Sequence, residues 1–148
     1  MRLILGVVDV GYVDAEGDST TTGDVAGILE AKYHPMRSFV ELHENDIGQA
    51  LANAMTGNIE SLGMGAPPSR INLNGAMAKI EEEFRDFLDK DEMGQLLPPS
   101  QQSQAALNGV SHRKKNPNSQ DNDGRPHFID TGLYQASFRA WIENEPTE

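Results

Sequence analysis

Short apolar runs lie at both ends of the chain and have the composition of β-strands. Residues 3–13 are rich in Leu, Ile and Val and end in a polar, glycine-bearing segment, which is typical of a strand. Residues 138–142 alternate apolar and polar side chains, as a strand with one solvated face does. We expect these two strands to pair with each other in the antiparallel direction.

A short helix is predicted after the polar residues 14–23, which have loop composition. Thr22 or Asp24 can cap this helix, because both side chains can accept a hydrogen bond from a free backbone N–H group. The helix should end before Pro35. Its apolar residues are Val25, Ile28 and Leu29.

Two longer amphipathic helices are predicted in the middle of the chain. The first covers Ser38–Thr56, with Gly57 as the expected stop. Its apolar residues are Phe39, Val40, Ile47, Leu51, Ala54 and Met55. Asn72 or Asn74 can cap the second helix. Its apolar stripe consists of Met77, Ile80, Phe84, Phe87 and Leu88, and Glu81, Glu82, Arg85, Asp86 and Asp89 are expected to face water.

The segment 98–126 is rich in Gln, Ser, Asn, Asp and Pro and has few apolar residues. It cannot bury enough surface to offset its ordering entropy, so we expect a mobile, low-complexity arm. After it, Leu133–Ser137 predicts a helical turn. The predicted fold is one α+β domain over residues 1–148. A small antiparallel sheet pairs the N- and C-terminal strands and packs against two main amphipathic helices, with the arm as a long extended loop.

Composition and charge exclude several classes of function. A length of 148 residues suits one core, and a formal net charge of −11 gives a surface that repels nucleic acid. The absence of cysteine excludes disulfides, thiolate nucleophiles and cysteine metal sites. The apolar run 3–8 is followed by Asp9 and is too short for a signal peptide or a membrane span. We therefore expect a soluble protein that stays in the cell that makes it and binds no membrane.

The sequence Phe128-Ile129-Asp130-Thr131-Gly132 matches the motif that carries the catalytic carboxylate of aspartic proteases. Such an enzyme needs two carboxylates that share a proton, on an all-β scaffold made of two lobes or two subunits. Here two helices precede the motif and only a short segment follows it. The alternative is structural: Asp130 and Thr131 form a turn with Gly132, which takes a backbone conformation that other residues resist.

The remaining polar motifs do not predict catalysis, a metal or a cofactor. The histidines are scattered, and residues 43–47 have isoleucine where a helical zinc-protease motif needs its second histidine. Residues 17–23 are rich in glycine and threonine but lack the Gly-Lys-Ser/Thr ending of a phosphate-binding loop. The histidines are His34, His43, His112 and His127.

One basic cluster, formed by His112, Arg113, Lys114 and Lys115, interrupts the acidic background inside the arm. It could contact DNA phosphates, although the acidic surface around it would repel the strand. It could instead pair with an acidic neighbour in an assembly, or simply keep the arm soluble. These residues are our candidate assembly contacts.

Several short segments along the whole chain follow one order. The N-terminal strand contains Leu5-Gly6-Val7-Val8, the short helix contains Val25–Glu30, and a proline-containing joint, His34–Phe39, leads into the long helix. After the second helix come Leu96–Ser100 and then Phe128–Leu133 before the last strand. This order resembles the tail-completion or neck proteins of long-tailed bacteriophages, which are also described as minor tail, virion-morphogenesis or head–tail joining proteins.

The resemblance implies a structural virion protein rather than an enzyme. Such a protein forms part of a homo-oligomeric ring at the head–tail junction. It joins the connector or stopper to the tail tube or tail terminator, and the genome passes through the channel without specific binding. Assembly would take place in the host cytoplasm, and no cofactor is implied. The alternatives are a tail terminator protein and a dimeric aspartic protease that uses Asp130.

Overall fold

The computed structural model describes residues 2–11, 20–67, 72–109, 124–129 and 132–143. These residues form an α+β fold with a two-stranded antiparallel sheet, which confirms the predicted fold class. The elements in chain order are β1 (Arg2–Val7), α1 (Thr22–Tyr33), α2 (Pro35–Gly63), α3 (Asn74–Asp89), α4 (Glu92–Leu96), a 3₁₀ turn (Pro99–Gln101), α5 (Gln104–Leu107), α6 (Leu133–Ser137) and β2 (Phe138–Glu143).

The sheet joins the two ends of the chain, as predicted, with Arg2 opposite Glu143 and Val7 opposite Phe138. β1 is shorter than the predicted strand 3–13. The N–H of Val8 still bonds to the carbonyl of Ser137, directly before β2, at 2.8 Å. The carbonyl of Val8 instead accepts from the Thr22 hydroxyl at the start of α1, at 2.7 Å. The oxygen of the Thr22 hydroxyl also accepts from the backbone N–H of Val10 at 2.9 Å.

The N-cap of α1 lies one residue before Thr22, the first of the two predicted caps. Thr21 is the N-cap: its side chain accepts from the N–H of Asp24, whose carboxylate accepts from the N–H of Thr21 in return. This capping box stabilises the first turn by satisfying two N–H groups that have no partner within the helix. α1 ends at Tyr33, before Pro35, as predicted.

The helix α2 is longer than predicted. Pro35 occupies the first turn of α2. A backbone N–H at this position would have no partner within the helix, so the absence of an N–H in proline breaks no helical hydrogen bond. Gly57 does not end the helix, which continues to Gly63. The Asn58 side chain supports this extension, since its amide nitrogen donates to the carbonyl of Asn72 at 2.9 Å and its oxygen accepts from the N–H of Asn72 at 3.0 Å.

The helix α3 confirms the predicted apolar stripe, whose residues are all buried: Met77, Ile80, Phe84, Phe87 and Leu88. The predicted cap is different, because Leu73 is the N-cap and Asn72 accepts from the N–H of Asn74 at 3.0 Å. Glu81 does not simply face water as predicted. Its carboxylate accepts from the N–H of Ala140 at 3.2 Å and so covers part of the outer edge of β2.

Aromatic rings join the sheet to the helices at the centre of the core. The rings of Phe84 and Phe138 stack with their centroids 3.8 Å apart, and Phe39 from α2 meets the Phe84 ring edge-on at 5.2 Å. All three side chains are fully buried. Because these rings come from α2, α3 and β2, the described elements share one hydrophobic core.

Candidate functional site at the base of the arm

The first described flank of the 98–126 arm contains short helical elements where a long extended loop was predicted; the mobility of the arm stays a prediction. The 3₁₀ turn and α5 occupy its first part, and Ser103 caps α5 by accepting from the N–H of Ala106. Ala106 is fully buried and its carbonyl accepts from the N–H of Arg125 at 2.9 Å. The residues on either side of 110–123 therefore meet at α5, which we call the arm base.

A hydrogen-bonded pair, Asp91 and His127, fixes the arm base to the domain. One carboxylate oxygen of Asp91 accepts from the backbone N–H of His127 at 2.9 Å, and the other lies 2.8 Å from Nδ1 of its ring. Asp91 has φ 53°, in the left-handed region, between α3 and α4. Gly94 leaves room for the carboxylate, since a Cβ at that position would overlap it.

A second histidine holds the same end of α4. Nε2 of His43 lies 3.1 Å from a carboxylate oxygen of Glu92. His43 has non-helical backbone angles within α2, φ −109° and ψ 19°, and its ring lies 5.1 Å from that of Phe39. The first turn of α4 is therefore tied both to α2 and to the segment that follows the arm.

The chemistry of the Asp91–His127 pair is that of a positioning contact. A carboxylate behind a histidine is also how a general base is oriented. However, Nε2 of His127 has an accessible area below 1 Å² and no hydrogen-bond partner among the described residues. A substrate cannot reach this nitrogen in the observed conformation, so the pair anchors the chain.

An open groove of about 290 Å³ lies beside the arm base. Its walls come from α1, from the two described flanks of the arm and from the residues next to those flanks. The rings of Tyr33 and Phe128 meet edge-on with centroids 5.5 Å apart. This volume lies at the lower end of the range of small-molecule sites, which is about 300–1,000 Å³. The lining residues are Val25, Leu29, Tyr33, Leu97, Gln101, Ser103, Arg125, His127 and Phe128.

The structure describes only one of the predicted site residues. Gly132 has φ 80° and precedes α6, in the backbone region that favours glycine. Asp130 and Thr131, and the four residues of the basic cluster (His112, Arg113, Lys114 and Lys115), lie outside the described residues. Their roles in a turn and in assembly contacts stay predictions.

The sequence did not identify the Asp91–His127 pair. His127 was one of four scattered histidines, and Asp91 lies in a charged run whose residues resemble an ordinary solvated helix end. The available signal was weak: an acidic residue shortly before Gly94, a glycine that leaves space for its side chain. The two partners are 36 positions apart, and only the tertiary fold brings them together.

No other feature of the described residues indicates a specific ligand. Within these ranges no three His, Asp or Glu side chains are placed to hold a metal ion. None of the described helices has the length and apolarity that crossing a membrane requires. Comparison of the chain with protein-family models, curated proteins and solved structures found no match.

Proposed function

We propose that this chain is a structural protein of the head–tail junction of a long-tailed bacteriophage, a neck or tail-completion component that forms part of a ring around the DNA channel. The order of elements along the chain carries this proposal. The Leu5-Gly6-Val7 segment lies in β1, the proline joint opens α2, and the Leu-Pro segment follows α4. Gly132 then leads through α6 into β2, the partner of β1.

The electrostatics of the chain support this function. The net charge of −11 suits a channel wall, because an acidic lumen repels the DNA backbone and lets it slide. The basic cluster His112–Lys115 is the exception, and it lies between two flanks that are bound to the domain at the arm base. An arm held at its base can present this cluster to an acidic neighbouring subunit.

The scaffold also favours a structural role over the aspartic protease hypothesis. That enzyme class places its Asp-Thr-Gly motif on an all-β scaffold, whereas the described part of this chain is mainly helical with one two-stranded sheet. β2 ends at Glu143, shortly after the motif. A peptide-cleavage assay at acidic pH with an Asp130→Asn variant separates the two hypotheses, since a structural protein has no such activity to lose.

The test is to produce phage particles without this chain and image them by electron microscopy. We expect filled heads and separate tails, and we expect purified protein added to the mixture to restore joining. Normal joined particles in its absence would refute the proposal.

The arm base suggests a second variant for the same assay. Because Arg125 N–H bonds to the carbonyl of Ala106, residues 110–123 can be replaced by a short Gly-Ser linker without separating the flanks. We expect this variant to fold normally but to join heads and tails poorly. As a narrower control, replacing Arg113, Lys114 and Lys115 by serine keeps the arm and tests its charge alone.

A further inference from the structure

The second half of α2 has an unusual surface for so acidic a chain. No charged residue occurs from Ile47 to Ile59, and Glu60 is the one charged residue between positions 47 and 67. Large apolar side chains on this surface are exposed: Met55 by 39%, Ile59 by 68% and Leu62 by 48%. Exposed apolar surface of this kind commonly marks a contact with another protein.

These side chains belong to one regular row. Successive positions are separated by four, three, four and three residues, which is the heptad spacing of a helix that packs along another helix. All five positions are exposed, so α3 and the sheet do not cover them. We call this row the α2 seam; its members are Gly48, Ala52, Met55, Ile59 and Leu62.

The seam is small at one end and large at the other. Nothing lies within 4 Å of where a Cβ on Gly48 would be, so the space beside it is open. If two copies of α2 lie antiparallel, Gly48 faces Leu62 of the second copy and Ala52 faces Ile59, with Met55 at the two-fold axis. Large side chains then fill the space beside small ones. A parallel pair would set small beside small and leave voids.

We propose that the α2 seam is a self-association surface, on which the occupant is α2 of a second copy of this chain in antiparallel orientation. Charge favours a second copy in particular. Two chains of net charge −11 repel each other, and the α2 seam adds no charge to this repulsion. The residues beside the seam, such as Gln49 and Thr56, are polar but uncharged. They provide no charge pattern that would select an oppositely charged partner.

This contact is independent of the proposed virion function. A two-fold contact is closed, so it joins two copies and leaves the other surfaces of each copy available for a ring. Loss of self-association in a seam variant would not affect whether the chain is found in virions. Absence from virions would likewise leave the pairing of the isolated protein unchanged.

Sedimentation equilibrium of the full chain tests the pairing. We expect a concentration-dependent dimer, and Ile59→Glu should weaken it by about tenfold or more because it places a charge in the seam. Asn53→Glu is the matched control: it adds the same charge to the same helix on the side away from the seam, and dimerisation should change little. A monomer at all concentrations, or equal effects of the two variants, would overturn the proposal.

Cysteine cross-linking tests the orientation, since the natural chain has no cysteine. Met55→Cys lies at the two-fold axis and should give a disulfide-linked dimer under mild oxidation, whereas Asn53→Cys should pair without forming a disulfide. In a mixture of Ala52→Cys and Ile59→Cys chains, the antiparallel pair predicts mixed dimers. Preferential linking of each variant to itself would show a parallel pair and overturn the proposed orientation.

Discussion

Replacing Asp91 tests how the arm base is attached to the domain. Its carboxylate makes two hydrogen bonds to His127, one to the backbone N–H and one to the ring. The His127 side chain is 8% exposed and that of Asp91 is 30% exposed. Asp91→Ala therefore removes both carboxylate oxygens that bond to His127, and the His127 side chain is almost wholly buried.

The expected loss of stability follows from these contacts. A hydrogen bond to a charged group contributes about 1.5–3 kcal/mol, and partial exposure of the carboxylate favours the lower end of that range. Two such bonds give about 3 kcal/mol for Asp91→Ala. Asp91→Gly loses the same bonds but removes the left-handed backbone strain of φ 53°, which recovers roughly 1–2 kcal/mol. We therefore expect Ala to be the more destabilising substitution and Gly to cost about 1–2 kcal/mol.

Urea denaturation measures the free energy of unfolding, and amide hydrogen exchange reports on the His127 N–H itself. Asp89→Ala is the control, because Asp89 is an exposed residue near Asp91 at the end of α3. A stabilising effect of Asp91→Gly would show that only backbone strain matters at this position. Unchanged protection of the His127 amide in Asp91→Ala would also refute the anchoring role.

Three further predictions concern the core, the turn before α6 and the pH dependence. Phe84→Ala should lower the free energy of unfolding by about 4 kcal/mol in urea denaturation, because its ring is fully buried; a loss below about 1 kcal/mol would contradict this. Gly132→Ala should cost about 1–2 kcal/mol at φ 80°, and equal thermal stability would contradict that strain. The Thr21 hydroxyl and the Gly23 N–H hold the pKa of Asp9 below its usual value. Asp9 thus stabilises the fold above its unfolded pKa and loses this effect as pH falls through the lowered folded pKa, which an NMR titration checks against Asp9→Asn; an unshifted pKa would contradict it.

The parts of the fold that depend on local periodicity could be predicted from the sequence. The α3 stripe and the strand 138–142 have clear helical and alternating patterns, and both occur where expected. The end of α2 could not be predicted in this way. Gly57 is a common stop signal, but the bonds between Asn58 and Asn72 hold a helical turn beyond it, and they join residues 14 positions apart.

The candidate site was less predictable than the fold. The arm base depends on contacts between segments that are distant along the chain, such as Arg125 with Ala106. Composition alone indicated a mobile segment there. The structure docks α5 through one buried residue, Ala106, and a single alanine is too small to produce a recognisable hydrophobic pattern in the sequence. Of the α2 seam, only Met55 was counted in the apolar face of the predicted helix, which was expected to end at Thr56. Ile59 and Leu62 lie beyond that end, and their exposure separates them from the core.

The location of the chain in assembled particles tests the central claim most directly. Virions of the phage that encodes it would be purified, probed for the chain by mass spectrometry, and labelled with an antibody for electron microscopy. The proposed function predicts that the chain is present and that label is confined to the junction between head and tail. Its absence from purified particles, or label spread over the capsid or at the tail tip, would contradict a neck or tail-completion role.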